Sequence, residues 1–140
     1  MVLFDSTRSN DPRQGPKWVR SKTGNFHRFI NIDPEELGLS GVSGVYVIWH
    51  SGVMPKWVYV GKSNDLAKTF HQLGEDENIL GYEVNGGLFV SWAMIRGEYQ
   101  DGVACYLKEA IKPIVDNPAL SCKDVTHVPV IPPGAKPDPE

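Results

Sequence analysis

The pattern of hydrophobic and polar positions changes character twice between Gly44 and Leu73. Gly44-Val45-Tyr46-Val47-Ile48-Trp49 and Trp57-Val58-Tyr59-Val60 are nearly unbroken runs of β-branched and aromatic residues, which predict two strands. His50 to Lys56, with Gly52 and Pro55, predicts the hairpin loop between them. After Gly61 the period becomes helical: Leu66, Ala67, Phe70 and Leu73 fall on one face, Ser63, Asn64 or Asp65 supplies the cap, and Gly74 ends the helix. Farther on, Gly86-Gly87 introduces Leu88 to Ile95, LFVSWAMI. Apolar residues on both of its faces predict a central, doubly covered strand. A last helix is predicted over 102–112, with Asp101 as its cap and Val103, Ala104, Leu107, Ala110 and Ile111 inward; Pro113 ends it because proline has no N–H for the ladder.

The flanks are less regular. Residues 1–16 are polar and aperiodic and read as a disordered basic arm. Residues 17–40 form an extension, with an extra hairpin around Lys22-Thr23-Gly24-Asn25 and a short helix starting at Asp33-Pro34-Glu35-Glu36 and stopped by Gly38. Residues 41–117 hold the main domain. Residues 118–140 carry six of the eleven prolines and read as a proline-rich tail, with Val128 to Pro133 extended along the body and a loose end. The acidic run Glu75-Asp76-Glu77 reads as a solvated loop in preference to a cation site.

A chain of 140 residues corresponds to one domain and is long enough to bury a core. No apolar run approaches the roughly 20 residues of a membrane span, and the first residues lack a signal peptide's apolar centre. A cytoplasmic chain without membrane contact is therefore expected. Cys105 and Cys122 have no metal-site spacing and are expected to be free thiols. The net charge of −3 argues against strong nonspecific nucleic-acid binding, but it divides into +4 over residues 1–30 and −7 over the rest. The basic N-terminal arm can make weak DNA contact, lie on the acidic body, or stay solvated.

Gly44-Val45-Tyr46, then Tyr59-Val60-Gly61-Lys62, then a capped helix, in that order, resembles the GIY-YIG nuclease family. The segment Tyr106 to Asn117, with Lys112-Pro113, is similar to the family's closing helix and its Lys-Pro-x-x-Asn end, although Asn117 falls one residue late. The resemblance implies an α+β domain with a three-stranded antiparallel sheet flanked by helices, cutting phosphodiester bonds with one divalent metal. It places Tyr46, Tyr59 and Lys62 in the nucleophile corner, with His71 nearby on the helix, and gives Gly61 and Asn117 binding roles; independently of the resemblance, an exposed Trp57 or Trp49 would mark a binding surface. Two of the family's charged groups are absent. Where the resemblance implies an arginine, ten residues after the second tyrosine, this chain has Thr69, which lacks a fixed charge and a bidentate fork. Where it implies the metal-binding glutamate, nine residues before the closing proline, this chain has Ala104, and a methyl binds no metal.

Lys68 or His71 could replace the missing cation. A shifted register using Glu109 would place that residue on a different helix face. Phosphodiester hydrolysis needs its charge-handling groups, because electrostatic stabilisation is usually the largest catalytic term. The expectation is a GIY-YIG-like binding or assembly module with vestigial catalytic positions and no cofactor. Its partner would be a protein or a second copy of the chain through an exposed sheet edge. The alternative is a divergent Mg²⁺-dependent DNA endonuclease with a relocated carboxylate, Glu83, Glu98 or Glu109. Tyr46 and Tyr59 also read as simple cross-strand packing partners.

Overall fold

The computed structural model describes residues 16–52 and 56–134. The disorder expected of the arm, the tip of the hairpin loop and the loose chain end fall outside the described residues, apart from Pro16.

The strand-rich runs pair as the pattern predicts. β1 (His27–Arg28), β2 (Gly44–His50), β3 (Lys56–Ser63) and β4 (Leu88–Ala93) form one antiparallel sheet in the order β1-β4-β2-β3. The sheet thus has four strands where three were expected. The extension adds the fourth: Ser21 to Asn25 makes the tight turn, with the Ser21 N–H donating to the Asn25 carbonyl at 2.7 Å. Val19 then donates to the Trp92 carbonyl at 2.9 Å, and His27 and Arg28 pair with Val90 and Phe89. Leu88 to Ala93, the first six residues of LFVSWAMI, form an interior strand, as their two apolar faces require, and the strand stops before Met94.

β2 lies between β3 and β4, and its alternate residues feed two cores. Tyr46 and Ile48 face α1 (Leu66–Leu73), whose Leu66, Ala67, Phe70 and Leu73 are all buried. Asp65 is the N-cap, accepting from the Lys68 N–H. The acidic run becomes the cap of α2 (Glu77–Leu80), where Asp76 accepts from the Asn78 N–H at 2.9 Å. On the opposite face Val45, Val47 and Val60 pack on α3 (Gly97–Ile111).

α3 begins a turn earlier than expected, so Asp101 lies inside it and caps nothing. Gly97 and Gly102 disguise that first turn in the sequence. Gly102 is a packing glycine: a Cβ there would come within 2.5 Å of the Thr126 carbonyl oxygen. Pro113 ends the helix as predicted, with Lys112 left-handed at φ 47°. The expected helix after Asp33 is an isolated turn, closed by the Leu37 N–H to Asp33 carbonyl bond of 3.0 Å.

The proline-rich segment is packed on the body as far as Gly134. Leu120 and Val130 are buried in the α3-side core, the Val128 N–H donates to the Gly102 carbonyl at 3.0 Å, and Trp18 Nε1 donates to the Ile131 carbonyl at 2.7 Å. The expectation of free thiols does not hold. Cys105 on α3 and Cys122 form a disulfide, with Cα atoms 5.6 Å apart. Spacing could not reveal the pair, because packing of the tail brings them together. The outer edge of β3 is covered as well: Ile114 and Val115 donate to the Trp57 and Val58 carbonyls at 3.0 and 2.9 Å.

Candidate functional site

β2 and β3 place Tyr46 and Tyr59 side by side on the α1 face. Tyr46 pairs with Gly61 across the ladder and Tyr59 with Ile48, so the two rings stack diagonally with centroids 6.3 Å apart. Phe70 of α1 meets Tyr46 edge-on at 5.4 Å, and Trp92 meets Phe70 at 5.6 Å. Both tyrosines are buried, Tyr46 at 2% exposure.

Gly61 makes room for this corner. A Cβ on Gly61 would collide with the Tyr46 hydroxyl and lie 2.7 Å from Asn117 Nδ2. Asn117 is fixed from both ends: its Nδ2 donates to the Val60 carbonyl at 3.1 Å and its Oδ1 accepts from the Ala119 N–H at 3.0 Å. Tyr46, Tyr59, Gly61 and Asn117 are therefore brought together from three parts of the chain. Gly61→Ala is expected to cost about 2 kcal/mol, in the range of core overpacking. Urea unfolding checks this, and combining the change with Tyr46→Phe should recover part of the loss if the hydroxyl is the obstacle.

The corner's electrostatics favour neutral phenols. Burial pushes the Tyr46 phenol far above the ordinary value, and Tyr59 adds to the shift. Tyr59 is also raised, by burial first and then by Asp76 and Asp116. At neutral pH both hydroxyls can donate or accept hydrogen bonds, but neither supplies a phenolate base.

The remaining candidates stand elsewhere. Lys62 is paired across the ladder with Val45, which faces α3, and its Nζ is 2.9 Å from Asp101 Oδ1. It belongs to the sheet face opposite the tyrosines. His71 is exposed on α1, with Nε2 2.8 Å from Glu35 Oε1, tying that helix to the turn after Asp33. Trp57 packs on Trp49 with centroids 5.8 Å apart, on the α3 side. Thr69 Oγ1 is 2.6 Å from Ser63 Oγ, which itself accepts from the Asp65 N–H. Ala104 is wholly enclosed in the α3-side core.

The carboxylates considered as replacements are engaged with cations: Glu83 with Arg28 at 2.8 Å, Glu98 with Arg96 at 3.2 Å, and Glu109 with Lys112 at 3.9 Å. Among the described residues, no group of three or more His, Cys, Asp or Glu side chains is arranged to hold a metal ion. Sequence reasoning missed Asp76 and Asp116 as neighbours of Tyr59. Both are far from it along the chain, and no periodicity marks them. No family model, curated protein or solved structure matches this chain.

Proposed function

We propose that the chain is a GIY-YIG-like module used for binding or assembly and not for phosphodiester cleavage. One observation carries this reading. The position where the resemblance implies a metal carboxylate is Ala104, sealed among Val103, Val45 and their neighbours on the α3 side of the sheet. The place of the phosphate-steadying arginine is Thr69, whose hydroxyl is bonded to Ser63. Loss of one transition-state donor costs roughly a hundredfold or more in rate, and here two charge-handling groups are missing. The stacked tyrosines then serve as core and as a neutral, hydrogen-bonding rim. The endonuclease alternative draws no support from Glu83, Glu98 or Glu109, each of which has a cation of its own.

A protein partner fits best at the hairpin end of the sheet. There Val84, 89% exposed, and Ile114, 42% exposed, flank a cleft of about 580 Å³ that also includes His50 and Tyr82. The covered edge of β3 leaves no free backbone at Trp57 and Val58 for strand addition. The test is nicking of supercoiled plasmid with Mg²⁺ or Mn²⁺, with Tyr59→Phe alongside. No cleavage above the buffer rate is expected. Metal-dependent nicking that disappears in Tyr59→Phe would overturn the proposal.

A further inference from the structure

On the sheet face away from the tyrosine corner, one ladder level carries an unusual set of side chains. Arg28 pairs with Phe89, Phe89 with Trp49, and Trp49 with Trp57, so the four residues form a single row across all four strands. Trp49 and Phe89 are stacked at 6.1 Å and 22°, and Trp49 meets Trp57 at 5.8 Å. Phe26 closes the row edge-on to Trp49 at 4.9 Å. Trp49 lies two residues beyond Val47, the last β2 residue in the α3-side core to be fully covered, and the rings of the row are only half-buried. Burial alone would favour a closed apolar cluster. Instead an open cleft of about 610 Å³ lies over Phe26, Trp49 and Phe89.

The rim of that cleft is cationic. The Arg20 guanidinium carbon sits 4.0 Å from the Phe26 ring centroid, and that of Arg28 5.5 Å from the Phe89 centroid. Arg28 is shared with Glu83, whereas Arg20 donates to the Gly24 carbonyl. Residues 16–32 carry Lys17, Arg20, Lys22 and Arg28 and no acidic residue, in a chain whose net charge is −3. An electropositive rim around half-buried aromatic rings that border an open cleft on a strand platform matches a ligand that alternates flat rings with anionic groups.

We propose that this cleft binds single-stranded nucleic acid, with bases lying on Phe89 and Trp49 and phosphates met by Arg20 and Arg28. From Arg28 across Phe89 to Trp49 the cleft spans two interstrand steps of roughly 4.8 Å, about 10 Å, enough for two bases, as on other four-stranded sheets that stack them. A duplex offers its phosphates but keeps its base faces stacked inside, so it would engage the arginines alone. A proline-rich peptide would suit the rings but not the charge. The surface is separate from the Tyr46/Tyr59 corner and does not depend on the nuclease-like reading.

Short fluorescein-labelled oligothymidylate and oligouridylate, titrated with the full chain at low salt, test the proposal by anisotropy and by quenching of tryptophan emission. Binding of either single strand, tighter than of a duplex of equal length, is expected. Phe89→Leu keeps apolar volume but removes a stacking face and should weaken binding about tenfold. Arg20→Ala, at an exposed position, should flatten the dependence of log K on log salt by about 0.7, the value of one single-strand phosphate contact. Lys123→Ala, an exposed cation elsewhere, should leave affinity unchanged. The proposal is overturned if neither oligonucleotide binds, if duplex binds equally well, or if Arg20→Ala leaves both affinity and salt slope at wild-type values.

Discussion

Reducing the Cys105–Cys122 bond is expected to lower the melting temperature by roughly 10 °C. The two cysteines are 17 positions apart, and closing a loop of that length removes unfolded-chain entropy equivalent to about 3 kcal/mol. For a chain of 140 residues, each kcal/mol shifts the midpoint by roughly 3 °C. The bond also has a local task. It joins α3 to the segment that carries Leu120, Val125, Val128 and Val130 onto the core, and that segment has no ladder of its own to hold it. Without the bond, the contacts left to anchor the segment are its apolar side chains and a few hydrogen bonds, among them Val128 to Gly102 and Trp18 to Ile131. Thermal melts with and without reductant, beside Cys122→Ser, measure the effect. Cys122→Ser should melt at the reduced wild-type temperature and ignore reductant. A wild-type shift below about 2 °C would show that apolar packing alone secures the segment. In a reducing compartment the bond would open, so the reduced melt also states how stable the protein would be under such conditions.

What could be read from the sequence was mostly local. Unbroken β-branched and aromatic runs marked β2, β3 and β4, because strands covered on both faces need no polar alternation. The 66-67-70-73 face and the stop at Gly74 located α1, and of the three capping residues considered, Ser63, Asn64 and Asp65, the cap is Asp65. Misreadings arose where a distant segment overrode a local cue. The last helix was expected to start at Gly102 behind an Asp101 cap, yet Gly102 sits inside it and is glycine because the Thr126 carbonyl passes too close for a side chain. His27–Arg28 carries little strand signal and is extended because β4 offers it a free edge. The disulfide and the Asn117–Gly61 approach likewise depend on chain segments that meet only after folding. Of the candidate site, the nearness of Tyr46 and Tyr59 was legible from their places on adjacent strands, although the ladder sets them diagonally and not opposite one another. The face on which Lys62 lies was not, because β3 continues through Ser63 and strand alternation turns Lys62 toward Asp101.

Raising the pH from 10 to 12 is expected to remove up to about 2 kcal/mol of stability through Tyr46 alone. In the unfolded chain its phenol ionises near 10. In the folded chain, burial among Phe70, Trp92 and Tyr59 holds the proton to higher pH. Above pH 10 the unfolded state therefore loses a proton that the native state keeps, and stability falls by up to about 1.4 kcal/mol per pH unit for each such group. Below pH 10 both states are protonated and the contribution is whole. Tyr59 steepens the fall in the same direction, since Asp76 and Asp116 add negative charge beside a buried phenol. Urea unfolding at a series of alkaline pH values gives the slope directly. Tyr46→Phe cannot ionise and should flatten that slope by close to one proton, while changing stability at pH 7 only by the loss of the hydroxyl. If the variant and the wild type fall equally steeply between pH 10 and 12, Tyr46 is not held neutral by the fold. The claim that this corner cannot furnish a phenolate base would fall with it, and the strongest electrostatic argument against cleavage chemistry at the tyrosine pair would then be the missing charges at Thr69 and Ala104.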